Sequence, residues 1–291
     1  MFKGSLVALI TPMLGDGSID YGQLEALIEF HLREGSDGLV IAGTTGESAT
    51  LSPAEHCELL HRSYEIINQR LPMIAGTGAN STSEAIELTR FAKNCGAQAS
   101  LLVTPYYNKP TQRGLILHHQ AIAEAVDIAQ LLYNVPGRTA CDMLPETVAE
   151  LAKLRNIVGI KEATGNLQRL ADIKKQVYPE FALLTGDDST TCDFILNGGH
   201  GAISVTANVV PAKMANMCRL ALEGRGEEAK QIDAEISDLH RLLFCESNPI
   251  PVKWVVSQMG YGENNMRLPM TVLADEYHEP LRQALFASSA L

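Results

Sequence analysis

The sequence has little that would commit it to a metal, a membrane or a nucleic acid. Its six cysteines (Cys57, Cys95, Cys141, Cys192, Cys218 and Cys245) are dispersed, with no C-x-x-C pair and no histidine at finger spacing. That excludes a structural zinc module and predicts reduced, mostly buried thiols of a cytoplasmic protein. No apolar run approaches the roughly 20 residues that span a bilayer. Met1-Phe2-Lys3-Gly4-Ser5 leads straight into a strand pattern without the apolar core of a signal peptide, so no leader is expected. Positive charge is also short: 23 Lys and Arg face 34 Asp and Glu, a formal net charge of -11. Broad contact with nucleic acid or an anionic membrane surface is therefore not expected, and a small-molecule partner is.

Motifs for bound groups are missing too. There is no H-E-x-x-H, and the neighbours His118 and His119 cannot share one helix face, so no metal is expected. Asp187-Asp188 is a minor candidate for a cation. Gly76-Thr77-Gly78-Ala79-Asn80-Ser81 lacks the third glycine of a dinucleotide fingerprint. What is present is ordinary for a soluble enzyme: 46% hydrophobic and 20% charged residues in a 291-residue chain, enough for one large barrel or two domains.

Apolar runs suited to strands (5–12, 38–43, 72–77, 99–105, 129–135, 157–162, 181–186, 201–206) alternate with segments carrying apolar residues every three or four positions (21–34, 53–70, 82–95, 112–126, 145–155, 166–177, 189–197, 211–223). Eight such units predict an α/β fold, a closed (β/α)8 TIM barrel over residues 1–224. Residues 225–291 read as a C-terminal helical appendage with helices near 226–243, 249–259 and 273–287. Ser52-Pro53-Ala54-Glu55 is a capping box with proline at the first helical position, and Ser81 with Glu84 repeats the box. Gly35, Gly96, Asn156 and Gly224 are expected to close helices in left-handed conformations.

A barrel places its chemistry where the strands end. The sixth strand, Ile157-Val158-Gly159-Ile160-Lys161-Glu162-Ala163, carries a lysine in an apolar run. Low-dielectric surroundings favour an amine in its neutral form, so Lys161 is the candidate nucleophile toward a carbonyl carbon. The alternative is a strand-end lysine whose stem packs while its head reaches water or Glu162. Glu162 itself should face the other way and be structural. Thr44 and Thr45, between glycines in Gly43-Thr44-Thr45-Gly46-Glu47, offer hydroxyls and backbone N–H groups to a small carboxylate, or merely cap a turn. Tyr133 ends the fifth strand with a phenol able to move a proton through Thr44, or else is a core tyrosine. Arg138, five residues on, is a fork for a second carboxylate, or a solvated loop residue. The loops after strands seven and eight have no glycine-rich anion nest, so the substrate is not expected to carry phosphate.

The motifs Gly43–Glu47, Tyr133-Asn134-Val135-Pro136-Gly137-Arg138-Thr139 and Gly159–Ala163, with Asn248-Pro249-Ile250-Pro251-Val252-Lys253-Trp254 near the C-terminus, together resemble the pyruvate-dependent class I aldolase family that contains N-acetylneuraminate lyase. The resemblance spans essentially the whole chain. It implies that Lys161 forms an imine with pyruvate, that Thr45 holds the pyruvate carboxylate, and that Tyr133, Thr44 and Tyr107 relay protons. It implies no cofactor beyond that covalent imine. Gly186 and Ile203 would line the site through their carbonyls. Arg138 matches an arginine that binds L-aspartate 4-semialdehyde, which points to condensation in diaminopimelate and lysine biosynthesis. A sugar-acid aldolase such as N-acetylneuraminate lyase is the alternative, and a non-catalytic carboxylate sensor a third. The family pattern further implies a homotetramer, a dimer of dimers, with Tyr107 reaching a neighbour's site. Ala49, His56, Gly78, Asn80, Glu84 and Tyr106 match positions of a lysine-binding inhibitory cleft, but Pro53 stands where strongly lysine-sensitive members carry histidine. Weak or absent inhibition is expected.

Overall fold

The structure, a computed structural model, describes residues 2–288 and 290. Eight strands, β1 (Gly4–Ala8), β2 (Gly38–Ile41), β3 (Met73–Gly76), β4 (Ala99–Val103), β5 (Ala129–Asn134), β6 (Ile157–Glu162), β7 (Ala182–Thr185) and β8 (Gly201–Ser204), pair in parallel in sequence order, and β8 closes on β1. The helices are α1 (Tyr21–Arg33), α2 (Pro53–Ile67), α3 (Thr82–Cys95), α4 (Gln112–Ala125), α5 (Pro136–Thr139), α6 (Pro145–Leu151), α7 (Leu167–Lys174), α8 (Thr191–Leu196), α9 (Pro211–Leu222), α10 (Gly226–Leu242), α11 (Ile250–Gln258) and α12 (His278–Ala287).

Strand side chains alternate between two apolar environments, which is why the strands read as continuous apolar runs. Leu6, Val40, Ile74, Leu101, Leu131, Tyr133, Leu184 and Ile203 fill the barrel interior. Leu132, Ile160 and Leu183 point outward onto Leu115, Val148, Leu151 and Leu170 of the helices. The interior is tight at Gly159, where a Cβ would stand 2.5 Å from the Ala182 carbonyl oxygen. The C-terminal region is helical as expected, and it is continuous with the barrel: Leu239, Trp254 and Leu281 belong to one apolar cluster with Met214, Leu27 and Val7.

Several local expectations are met and several fail for identifiable reasons. Ser52 and Glu55 form the reciprocal capping box of α2, a feature worth about 1 kcal/mol. Gly35, Gly96 and Gly224 take positive φ. Ser81 makes no capping bond to α3; its hydroxyl pairs with that of Ser83 instead. Asn156 does not close a helix, because α6 stops at Leu151 and the Asn156 amide donates to the carbonyls of Ala123 and Val126. Helix α2 ends at Ile67 on a left-handed Asn68, short of residue 70. Helix α12 begins at His278, five residues later than expected, after a 3-10 turn at Asp275–Tyr277. The four-residue helix α5, started by Pro136, is absent from the periodicity because it is too short to show one.

Two buried imidazoles make the fold acid-sensitive. Burial holds His31 at about 3 and His119, with the neighbouring His118 adding to the effect, also at about 3, against an ordinary value of 6.5. Both rings are 0% exposed, and neither nitrogen of His119 has a hydrogen-bond partner among the described residues. Between pH 6.5 and 3 the unfolded chain binds protons that the folded chain refuses, so stability falls as pH falls. At pH 5 each ring costs about 2 kcal/mol. Thermal melts should show Tm dropping steadily from pH 7 to pH 5, and His119→Leu should flatten that slope. An unchanged slope in the variant would show that His119 is not refused its proton.

Candidate active site

Strand register assembles the site. Tyr133 on β5 pairs directly with Lys161 on β6, and Lys161 with Leu184 on β7, so the phenol and the amine lie side by side on the inner face at the C-terminal end of the barrel. Lys161 is 6% exposed, and its Nζ sits 4.4 Å from the centroid of the Tyr133 ring. The lysine stem is confined from the other side: a Cβ on Gly186 would stand 2.5 Å from Lys161 Cε and 2.7 Å from Ala163 Cβ. Gly186 thus leaves the space that the Lys161 stem occupies. Glu162 faces outward as expected, accepting from Asn134 Nδ2 (3.2 Å), the Thr164 N–H (2.9 Å) and Arg169 Nε (3.1 Å).

Lys161, Tyr133, Thr44, Thr45, Arg138 and Gly186 line one cavity of about 380 Å³. The threonines reach it from a loop bracketed by Ala42 and Glu47, both non-glycine residues at positive φ (55° and 57°). Such conformations persist only where the surroundings hold them. Gly46 is wedged, a Cβ there meeting the Leu9 carbonyl oxygen at 3.1 Å, while its own carbonyl accepts from the Thr11 hydroxyl at 2.7 Å. Glu47 pairs with Lys253 of α11, both side chains at most 2% exposed. Burial pushes the Lys253 amine below its ordinary value, and the Glu47 charge opposes that shift. Removing one partner of such a buried pair costs about 3–5 kcal/mol.

The C-terminal region also supplies cavity wall that the strand-end reasoning missed. His240, Arg241, Phe244 and Asn248 line the cavity beside Asp187, Asp188 and Ser189. Asn248 donates from Nδ2 to Thr45 Oγ1 (3.0 Å) and accepts at its carbonyl from Arg138 (3.1 Å), bridging the two expected carboxylate binders. Its place in the Asn248–Trp254 motif was the only available signal. Asp187 and Asp188 are structural: Asp187 caps Thr190 (3.0 Å), and Asp188 accepts from the N–H groups of Val205 and Thr206 (both 3.0 Å). No cluster of three or more His, Cys, Asp or Glu suited to a metal occurs among the described residues.

Two expected site residues are absent from the lining of this chain's own cavity. Ile203 is fully buried in the barrel interior with Leu6 and is not part of the cavity lining. Tyr107 is 90% exposed on a turn with φ of 73° and does not line the cavity of its own chain. That turn is anchored by reciprocal bonds, Asn108 Nδ2 to the Asn80 carbonyl (2.9 Å) and Asn80 Nδ2 to the Tyr106 carbonyl (3.3 Å).

A second cavity of about 540 Å³ adjoins the first and shares Thr44, Val135 and Arg138 with it. Ala49, His56, Gly78, Glu84 and Tyr106 line it, together with Pro53; Asn80 does not. His56 is already engaged, its Nε2 bonded to the Gly76 carbonyl at 2.8 Å, and burial holds its ring below the usual imidazole range.

The model of the dihydrodipicolinate synthetase family matches residues 1–288. The chain belongs to that family. It is 56% identical to 4-hydroxy-tetrahydrodipicolinate synthases from Saccharophagus degradans and Stutzerimonas stutzeri, over 291 residues and the full length of each. The structure of the chloride-inhibited dihydrodipicolinate synthase of Acinetobacter baumannii complexed with pyruvate superimposes with a TM-score of 0.98 at 49% identity, covering both chains completely. The Cyanidioschyzon merolae enzyme with lysine bound gives 0.97 at 40% identity, covering 100% of this chain and 99% of that one.

The packing of Gly186 yields a direct expectation. Gly186→Ala should lower enzymatic turnover by about tenfold or more, because the added methyl displaces Lys161 Cε rather than backbone. Steady-state rate assays measure it; a rate within twofold of wild type would mean the stem is free to move aside.

Proposed function

We propose that this chain condenses pyruvate with L-aspartate 4-semialdehyde to 4-hydroxy-tetrahydrodipicolinate, in the diaminopimelate and lysine pathway, through an imine on Lys161. The observation that carries this reading is the buried Lys161 amine set against the Tyr133 ring in a cavity that also presents Thr44, Thr45 and Arg138. The full-length identity to enzymes named for that product supports the same substrates.

The steps follow from these groups. The lone pair of Lys161 Nζ attacks the pyruvate ketone, and loss of water leaves a protonated imine. The Thr44–Thr45 turn receives the carboxylate. The imine acidifies the methyl group, whose proton leaves through Tyr133 and Thr44 to give an enamine. The enamine carbon bonds to the aldehyde carbon of the second substrate, whose oxygen takes up a proton and whose carboxylate is held by Arg138. The substrate amine then adds to the imine carbon, closing the ring and expelling the Lys161 amine. Electrons and protons balance within the two substrates and these side chains, so the sequence of steps calls for no redox group or metal.

Tyr107 is read as the third relay member, acting in a neighbouring subunit's site within a homotetramer built from two dimers; its 90% exposure and its absence from the lining of its own cavity support that reading. Gly186 and Ile203 are read as lining the site through their backbone carbonyls, and the place of Gly186 in the cavity wall supports the first of these. The side cavity is read as a weak lysine site, because Pro53 is committed to starting α2 and brings no imidazole.

Incubation with pyruvate and borohydride should add a reduced pyruvyl group to Lys161, located by peptide mass, and Lys161→Ala should take up none. An unmodified Lys161 in active enzyme would remove the central step. Arg138→Ala should raise KM for the aldehyde about tenfold or more, as loss of a charge-assisted pair predicts, with pyruvate KM changed far less. Cleavage of N-acetylneuraminate to pyruvate, without condensation of pyruvate and the semialdehyde, would favour the sugar-acid alternative. Activity should remain above half its maximum at about 1 mM L-lysine, the range of a weak site; half-inhibition far below that would contradict the role given to Pro53.

A further inference from the structure

We infer that Lys253 and Glu47 form a positioning pair for pyruvate capture, by which the C-terminal helices hold the two-threonine turn in its binding conformation. This rests on the imine reading above and extends it to residues outside the cavity.

Neither side chain lines the cavity, yet both are almost wholly buried. Glu47 is the last residue of the turn that carries Thr44 and Thr45, and it sits at φ 57°, a conformation that an unconstrained glutamate leaves readily. Its backbone N–H donates to the Thr44 carbonyl at 3.0 Å, and the Ser48 N–H donates to the Gly43 carbonyl at 3.3 Å, so the placement of Glu47 and that of the hydroxyls are geometrically linked. Lys253, 206 positions away, fixes the Glu47 carboxylate through Oε1, while the Arg267 N–H approaches Oε2 at 3.4 Å. The Arg267 guanidinium ties down the far end of the same loop through the Thr50 carbonyl (2.8 Å) and Glu55. Asn248, from the segment that leads into α11, holds Thr45 itself. A buried charge pair is a poor way to gain stability alone, since apolar residues of similar volume do as well or better. Its directional, one-geometry character is what suits it to fixing a turn.

The test compares Lys253→Met, Glu47→Gln and the charge-free double variant with the wild type, at a temperature where circular dichroism shows each folded. Half-saturation of borohydride trapping by pyruvate should rise about tenfold or more in all three. KM for the aldehyde should change less than about threefold. The double variant should recover most of the Tm lost by the singles without recovering pyruvate affinity. Trapping curves within twofold of wild type in folded variants would overturn the inference, as would a double variant that regains Tm and pyruvate affinity together. A double variant that does not fold, though it buries no unpaired charge, would assign the pair to folding alone and also overturn it. Absence of trapping in the wild type would strike the imine reading instead.

Discussion

The site depends on one register, that of β5 against β6. In a closed barrel an inward residue at the strand end has nowhere else to point, so pairing Tyr133 with Lys161 sets phenol beside amine without any loop having to be ordered. The 4.4 Å approach of Nζ to the ring follows from that pairing, and Gly186 on the next strand end keeps the amine from being crowded out. Enzymes gain most from groups already in place before substrate arrives, and a rigid sheet supplies that more cheaply than a mobile loop.

The remaining binding groups have no such sheet to hold them. Thr44 and Thr45 sit on a turn with two non-glycine residues at positive φ, and Arg138 projects from a helix of only four residues. Both are secured from the C-terminal region: Asn248 contacts Thr45 and Arg138, and Lys253 contacts Glu47. The helices after residue 225 are therefore part of the site, since His240, Arg241 and Phe244 also form its outer wall. The chain belongs to the dihydrodipicolinate synthetase family, and its fold superimposes on that of a solved member along the whole length of both chains.

Features carried by local pattern were legible in the amino-acid order. Eight apolar runs alternating with amphipathic segments are enough to imply a closed parallel barrel, and polar residues where those runs end marked Thr44, Thr45, Tyr133, Arg138 and Lys161, all of which meet in one cavity. Contacts across some 200 positions were not legible, because neither Asn248 nor Lys253 announces its partner through spacing. Capping logic failed at Ser81, where a neighbouring serine competes for the hydroxyl, and at Asn156, whose amide is used by carbonyls of another unit. Tyr107 illustrates a different limit: its 90% exposure is visible only in the structure.

The central claim is that Lys161 captures a keto acid covalently while the threonine turn holds its carboxylate. The most direct measurement is a crystal structure of the enzyme soaked with pyruvate alone. The account predicts continuous density from Lys161 Nζ to the ketone carbon, with the carboxylate on Thr44 and Thr45 and the methyl group facing Tyr133. Pyruvate bound without a covalent link, or with its carboxylate turned to Arg138, would contradict it.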